Sequence, residues 1–282
     1  MALTINTNLG SLIVQRNLAD ATEALNRSIE RMTTGYKINS AGDDAAGYAV
    51  ATKMDTQLSS ISVAQDNVAI GSSLLSTTES NYDLIVTHLQ RIRDLTEEAA
   101  NGTYGQDSID AIKAEVTARL EEIDRIAAST EFNGIKLLDG SAGAINLQIG
   151  IDSTANSQLS LDADLFSDSS AEQLMGVTQT NFLNYFTVGG TNYDDALNAI
   201  DDALDEVTSR QTNIGAIQNR LDSAADALDV QYSNVTSSLS TIKDADVAAE
   251  SSEYIKAQIL QQASASLLST ANQTPSIALN LI

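Results

Sequence analysis

The stretch KINSAGDDAAGYAVATKM, residues 37–54, contains the residue types of a metal or phosphate site: glycines and the adjacent carboxylates Asp43 and Asp44. Carboxylate oxygens are the ligands that Ca²⁺ and Mg²⁺ prefer. The same residues are also typical of a break between two helices, because an aspartate side chain accepts hydrogen bonds from the free amides of a helix N-terminus. We interpret the stretch as a connector between helices, which needs no ligand. The connector consists of Asn39, Ser40, Gly42, Asp43 and Asp44.

The rest of the chain offers no set of residues for catalysis. His88 is the only histidine and cysteine is absent, which excludes a zinc site built on histidine or thiolate and a Ser-His-Asp triad. Neither glycine-rich phosphate motif, GxGxxG or GxxxxGKS/T, occurs in the sequence. Adjacent carboxylates such as Asp194 and Asp195 point about 100° apart on a helix, so they do not form an acid–base pair. The sequence therefore predicts no enzyme, with no catalytic residue, no metal site and no cofactor.

Apolar residues recur instead at the spacing of coiled-coil helices. Over residues 45–99 one series repeats every seven residues and a second lies three residues further on. The middle of this stripe is built of small residues, where another helix could approach closely. A helix over this range is about 80 Å long at about 1.5 Å per residue. The stripe consists of Met54, Ile61, Val68, Leu75, Tyr82 and Leu89, with Ala64, Gly71, Thr78, Ile85 and Ile92.

Two further helices are predicted with the same kind of stripe. One begins at Asp107 or Ser108, either of which can cap it, and the other begins at Thr191 or Asn192. The stripe of the first consists of Ile109, Ile112, Val116, Leu120 and Ile123. The stripe of the second, which Gln211 and Gln218 interrupt, consists of Leu197, Ile200, Leu204, Val207, Ile214, Leu221, Leu228, Tyr232, Val235, Leu239 and Ile242.

A β-hairpin is predicted between these two helices, because the period of the apolar residues changes there from helical to two. Ile145, Leu147, Ile149 and Ile151 alternate with polar residues and a glycine, and Leu159 and Leu161 begin a second alternation. Residues 166–192, rich in Ser, Thr, Asn and Gly, are predicted as loop or irregular strand. The fold class is therefore mainly α, with a small β-hairpin region.

The two ends of the chain carry amphipathic segments of their own. Each is short and weakly charged, and an isolated helix of this kind is marginal in water. We therefore expect the ends to be loose in a single subunit and to become ordered against each other or against neighbouring subunits. Their apolar residues are Leu18, Thr22, Leu25, Ile29, Met32 and Tyr36 near one end, and Ile255, Ile259, Leu260 and Leu267 near the other.

The net charge of −23 argues against a nucleic-acid-binding protein, since phosphate binding needs clustered Lys and Arg. The charge is placed unevenly: residues 1–40 and 241–282 sum to −1, which leaves −22 for residues 41–240. No window approaches the roughly 18 apolar residues of a membrane span, so no membrane insertion is expected. No secretion signal is visible either. On these grounds alone, the chain is expected in the cytoplasm.

Five long stretches carry a family resemblance: MALTINTNLGSL, IERMTTGYKINSAGDDAAGYAVATKM, LQRIRDLTEEAANGTY, EIDRIAASTEFNGIKLLDG and AQILQQASASLLSTANQTPSIALNLI. In content and in order they resemble bacterial flagellin. The match covers nearly all of residues 1–150 and 195–282.

The resemblance implies a structural subunit that polymerises into the bacterial flagellar filament used for swimming motility. It implies a long antiparallel helical bundle in which residues 1–42 and 241–282 pair as an inner coiled coil that is disordered in the monomer. Residues 43–240 would form an outer helical domain, with a β-hairpin region at about 131–190. The thin segment at 165–192 is similar to that of short family members, which lack large variable outer domains.

The resemblance also implies partners and a location. The partners are other copies of the chain, an export chaperone at residues 241–282, hook-associated junction and cap proteins, and Toll-like receptor five. Family members are exported without a cleaved signal peptide, so the implied location is the extracellular flagellum rather than the cytoplasm. By position in the family motifs, the implied receptor and filament contacts are Arg91, Leu95 and Glu115.

Two non-enzymatic alternatives stay open. One is a hook–filament junction protein, which resembles flagellin at both ends but does not polymerise indefinitely. The other is a coiled-coil scaffold that forms nothing larger than dimers. The segments FNGIKLLDG and QILQQA look more like those of the filament protein, and growth of filaments would separate the filament protein from both alternatives.

Overall fold

The computed structural model describes residues 7–188 and 192–279. The first six residues, and Thr191 as a start of the third long helix, lie outside this range. Seven helices are found in it: α1 (Leu9–Thr34), α2 (Ala45–Ala100), α3 (Gln106–Ser129), α4 (Ala171–Met175), α5 (Gln179–Leu183), α6 (Tyr193–Lys243) and α7 (Val247–Leu279). The strands are β1 (Glu131–Phe132), β2 (Ile135–Lys136), β3 (Ile145–Gln148) and β4 (Gln158–Leu161), and short 3-10 helices span Ala155–Ser157 and Ala163–Phe166. The predicted fold class, mainly α with a small hairpin region, is confirmed.

These residues form two compact units. One contains the chain up to Leu58 and from Ser233 onward, and the other contains Ser59–Tyr232. Helices α2 and α6 contribute residues to both units. The division of the chain at residues 42 and 240 stays a prediction. None of the helices in the described ranges has the length and apolar character that a membrane crossing requires.

The core of the Ser59–Tyr232 unit is built from the predicted stripes of α2, α3 and α6. On α2 the residues that recur every seven positions are fully buried from Ile61 to Leu89, with Val68 only 5% exposed. The whole predicted stripe of α3 is buried as well. On α6 the buried members of the stripe are Ile200, Val207, Ile214, Leu221 and Leu228. Apolar burial along three helices supplies most of the stability of such a unit.

The small-residue middle of the α2 stripe receives a strand rather than a helix. Gly71 lies against the side chain of Leu147, so that a Cβ atom at Gly71 would collide with the Leu147 Cδ1 atom. Asn67 also donates a hydrogen bond from Nδ2 to the carbonyl oxygen of Gln148 at 3.1 Å. Glycine at position 71 therefore lets β3 pack directly on the helix.

Two antiparallel hairpins follow α3. The predicted one is confirmed: β3 pairs with β4, with Ile145 opposite Leu161 and Leu147 opposite Leu159. The other, in which β1 pairs with β2, was not predicted. Its turn is Asn133-Gly134, and both residues have positive φ, 50° and 80°. Asn-Gly is the strongest sequence signal for a two-residue hairpin turn, so this element could have been found.

The prediction of loop or irregular strand over residues 166–192 is wrong, because the short helices α4 and α5 lie there. Aromatic residues hold the segment together: the rings of Phe182 and Phe186 lie 5.6 Å apart, and Phe186 meets Tyr193 edge to face at 6.0 Å. The Asp124 carboxylate of α3 accepts a hydrogen bond from the Ala171 amide at 2.8 Å and so caps α4. Helices of five residues are too short to show a helical period in a sequence.

Candidate functional site

The terminal helices α1 and α7 pack antiparallel along a seam of small residues. The buried residues of the seam are Ala21 and Ser28 on α1, and Ala257 and Ser264 on α7. Leu18 and Leu25 are half-buried beside them. A polar contact also crosses the seam, from Gln261 Nε2 to Thr22 Oγ1 at 3.1 Å. Small residues let the two backbones approach closely, and the pair buries little apolar volume between its helices.

Many of the large apolar side chains of these two helices are exposed instead. Ile29 and Met32 were predicted on the same stripe as Leu18 and Leu25, but they are 44% and 38% exposed. Large exposed apolar patches are uncommon on monomeric proteins and are typical of interaction sites. The exposed apolar residues of the pair are Leu9, Leu12, Ile13, Ile29, Met32, Val247, Ile255, Ile259, Leu260 and Leu267.

The connector between α1 and α2 is held by its two carboxylates. The Asp43 side chain accepts hydrogen bonds from the amides of Asn39 and Ser40, at 3.2 and 3.0 Å, and from the Ser40 hydroxyl. Chiefly the bond from the Ser40 amide lowers the pKa of the Asp43 carboxyl. Asp44 Oδ1 accepts from the amides of Ala46 and Gly47, at 3.1 and 3.0 Å. Asp44 thus caps α2, whereas Asp43 binds the amides of the preceding turn. The role of the connector between domains stays a prediction.

The three implied receptor and filament contacts lie in different environments. Arg91 Nε donates to Glu115 Oε1 at 3.0 Å, and both side chains are partly exposed. This ion pair lowers the pKa of the Glu115 carboxyl. Leu95 is only 2% exposed and belongs to the core of the Ser59–Tyr232 unit. Arg91 and Glu115 are therefore accessible in this structure and Leu95 is not.

Comparison with known proteins gives two family models that match in chain order. The bacterial flagellin N-terminal helical region matches residues 5–143, and the bacterial flagellin C-terminal helical region matches residues 197–282. The chain is 36% identical to the flagellin of Bacillus subtilis (strain 168), an alignment that covers 99% of this chain and all of that one. It is 34% identical to the flagellin of Halalkalibacterium halodurans, again over 99% of this chain and all of the relative. The chain belongs to the bacterial flagellin family. Like other flagellins it is a structural protein, a subunit of the flagellar filament.

A solved structure shares the fold of this flagellin at greater sequence distance. The putative flagellar hook-associated protein from Vibrio parahaemolyticus matches with a TM-score of 0.61 and 19% identity, over 72% of this chain and all of that one. At this identity the likeness shows the fold alone. The full-length identity to flagellins favours the filament subunit over the hook–filament junction protein.

His88, the one histidine of this flagellin, makes its stability depend on pH. Arg119 Nη1 lies 3.4 Å from His88 Nδ1, and burial together with the Arg119 charge lowers the pKa of the imidazole below 6.5. The folded chain therefore binds the proton less readily than the unfolded chain. The neutral imidazole therefore makes its full contribution to the free energy of unfolding above about pH 6.5. This contribution is lost as the pH falls from there through the pKa of the folded chain.

The expected result is that His88→Gln removes part of the stability loss between pH 7.5 and 5.5. Urea denaturation at the two pH values gives the free energy of unfolding of each protein. The carboxylates titrate in both proteins, so the difference between the two losses reports His88. An equal loss in the two proteins would show that the imidazole contributes nothing.

Proposed function

We propose that the outward apolar face of the α1–α7 pair docks on neighbouring copies and drives polymerisation into the filament used for swimming. The observation that supports this most is that small residues are the buried ones in the seam, while many large apolar side chains of the pair are exposed. A helix pair that buries its small residues gains little stability alone. Contact with further copies would cover the exposed side chains, so we expect the ends to order fully only on assembly.

The wider organisation is part of the same proposal. Residues 1–42 with 241–282 would form the inner domain, and 43–240 the outer one. The mature location would be extracellular, reached by export without a cleaved signal peptide. A cytoplasmic chaperone would cover residues 241–282 before export, since a large apolar surface in a soluble chain favours aggregation. Hook-associated junction and cap proteins would meet the filament at its ends.

Recognition by Toll-like receptor five would use Arg91 and Glu115, the two implied contacts that are partly exposed. The buried Leu95 would act through the packing of α2. The same face would serve as a filament contact. The receptor would then bind a surface that is covered after assembly.

Electron microscopy of concentrated protein, seeded with filament fragments, tests the proposal. The intact chain is expected to form long filaments, and a chain without residues 241–282 is expected to form none. Ile259→Ser, at a side chain that is 60% exposed, should raise the critical concentration roughly ten- to hundredfold, because burying an isoleucine contributes about 1.5–3 kcal/mol.

Val188→Ser is the matched control. Val188 is 50% exposed but lies in the thin segment near residues 165–192, away from the terminal helices in sequence. This variant should assemble as the unaltered chain does. Short stubs or dimers from the intact chain would favour the junction protein or the scaffold, and equal effects of the two variants would contradict a docking role for the terminal face.

A further inference from the structure

The sequence contains two Asn-Gly pairs, Asn101-Gly102 and Asn133-Gly134. The backbone amide that follows an asparagine can attack the carbonyl carbon of the asparagine side chain, and glycine offers the least hindered amide because it has no Cβ atom. Both pairs are exposed in the structure, so exposure alone does not distinguish them. Their backbone conformations do.

Asn133 and Gly134 are held in the turn between β1 and β2. Both have positive φ, 50° and 80°, as in the two-residue turn that joins two strands tightly. Just beyond the turn, the amide of the buried Leu137 donates to the carbonyl oxygen of the buried Thr130 at 3.1 Å. Ring closure between the Asn133 side chain and the Gly134 amide needs a rotation of the backbone between them, and this rotation would break the turn. Asn133 is therefore protected while the hairpin is folded.

Asn101 and Gly102 lie in an open turn after the end of α2. Asn101 Oδ1 accepts hydrogen bonds from the Thr103 hydroxyl at 3.2 Å and from the Thr103 amide at 3.4 Å. These bonds fold the side chain back over the peptide that joins Asn101 to Gly102, which brings the side-chain Cγ atom toward the Gly102 nitrogen. In the described part of the chain, no acceptor binds the Gly102 amide. The pair is therefore arranged for the reaction that the hairpin prevents at Asn133.

We propose that Asn101 is a site of spontaneous modification, at which the subunit converts itself to a more acidic form with the assistance of Thr103. The Gly102 nitrogen loses its proton to hydroxide and attacks Asn101 Cγ. A C–N bond forms, the bond from Cγ to Nδ2 breaks, and Nδ2 takes a proton from water and leaves as ammonia. Water then opens the resulting succinimide at either carbonyl carbon, which leaves aspartate or isoaspartate at position 101. The Thr103 hydroxyl donates to the oxygen that becomes negatively charged during the attack, as an oxyanion-hole donor does.

The new carboxylate lies where α2 tolerates it least. The C-terminal end of a helix carries a negative partial charge, and Glu97 and Glu98 lie within one turn of position 101. Isoaspartate also lengthens the main chain by one carbon atom. It thereby displaces the carbonyl oxygen that accepts from the Tyr104 amide at 3.3 Å. The last turn of α2 therefore frays as the modified form accumulates.

The full-length free subunit, incubated at mildly alkaline pH, provides the first test. Tryptic peptides 94–113 and 126–136 contain Asn101 and Asn133 as their single asparagines, so mass spectrometry measures the conversion of each. Labelling by an isoaspartate methyltransferase identifies the isoaspartate product. Asn101 should convert about tenfold faster than Asn133 or more, because Asn133 must wait for its hairpin to open. In concentrated urea the two should convert at similar rates. Equal rates in the folded subunit, a faster Asn133 or an unchanged Asn101 would overturn the proposal.

Variants of the two following residues test the arrangement. Thr103→Val removes the hydroxyl at nearly the same volume and should slow the conversion of Asn101 in the folded subunit about three- to tenfold, the effect of one hydrogen bond. The rate in urea should not change, and Thr103→Ser should restore the folded rate. Gly102→Ala should slow the reaction in both states, because its methyl group hinders the attacking nitrogen. The fold accepts this methyl group, since a Cβ atom at Gly102 has no heavy atom within 4 Å and φ lies outside the left-handed region. An equal folded rate in Thr103→Val and the unaltered subunit would contradict the assisting role of Thr103.

Hydrogen exchange measures the effect on α2. After incubation, the amides of residues 97–100 should exchange about two- to fivefold faster in the modified fraction of the unaltered subunit, because the new charge opposes the helix dipole. Gly102→Ala, incubated in the same way, is the matched control and should keep its original exchange. An equal increase in both proteins would contradict the link between the modification and the fraying of α2.

Discussion

Leu89→Ala is expected to lower the free energy of unfolding of the Ser59–Tyr232 unit by about 2–5 kcal/mol. Leu89 is fully buried, near Tyr82, Ile85 and Ile92 on the same helix, which are also fully buried. Truncation removes apolar contacts and leaves a cavity, and a long helix held on both sides by its neighbours has little freedom to collapse into it. Urea denaturation followed by circular dichroism measures the change.

Leu84→Ala is the matched control for this experiment. Leu84 lies on the same helix and undergoes the same truncation, but it is 51% exposed. Five residues turn a helix by about 140° relative to Leu89, away from the core. Its substitution should change stability by less than about 0.5 kcal/mol. If the two variants lost similar stability, the predicted seven-residue stripe of α2 would not be the core of this unit.

The stripe could be predicted because helical geometry is local. A seven-residue repeat places its members on one face whatever they pack against, so the buried faces of α2 and α3 follow from the sequence. The partner of a face does not follow from it. Gly71 indicates a close approach, but whether a helix or the strand β3 fills the space depends on contacts far away in the sequence.

The terminal helices show a different limit of sequence analysis. A stripe predicts a buried face only when the opposite face is polar. On α1 both faces carry apolar residues, and Leu25 and Ile29 were assigned to one stripe although only Leu25 lies in the seam. A subunit that must cover one face internally and the other on assembly contains two apolar stripes. The spacing of the residues does not tell which of the two stripes is buried between the helices, since the stripe with the smaller residues is the buried one here.

Long-range polar contacts were not predictable. Asn39, Asp43 and Asp44 could be assigned as a connector because capping bonds reach only a few residues along the chain. Lys243 contacts Asp55, which lies far away in the sequence, and nothing in the spacing of either residue indicates the pair. Arg210 is the other such residue. It lies between the buried Val207 and Ile214 of α6, outside the predicted stripe, and it is only 8% exposed.

Arg210→Ala is expected to lower the free energy of unfolding by about 2–4 kcal/mol, because it breaks a buried hydrogen-bond network. The guanidinium Nη1 atom lies 2.9 Å from Ser169 Oγ, 3.3 Å from the Ser167 carbonyl oxygen and 3.4 Å from the Tyr82 hydroxyl. The Tyr82 hydroxyl in turn donates to the Leu165 carbonyl oxygen at 3.0 Å. One arginine on α6 thus fastens the segment before α4 to α2.

The loss of stability in Arg210→Ala should also be concentrated in one segment, which a simple cavity in the core would not produce. Glu206, the carboxylate paired with Arg210 Nε at 2.9 Å, is 52% exposed, so no buried charge is left unpaired. Hydrogen exchange should therefore rise most at Leu165–Met175, whose polar groups lose their anchor, and less in the middle of α2. Arg210→Lys should rescue only part of the stability, since an ammonium group cannot reproduce the planar fork of a guanidinium.

Arg220→Ala is the control on the same helix. Arg220 is exposed, and among the described residues it takes part in no ion pair or side-chain hydrogen bond, so its removal should cost less than about 0.5 kcal/mol. Equal stability of the two alanine variants would mean that aromatic packing around Phe182 and Phe186 alone holds the segment. A larger loss in Arg210→Ala with uniform exchange throughout the unit would mean that Arg210 stabilises the helix bundle and not the segment.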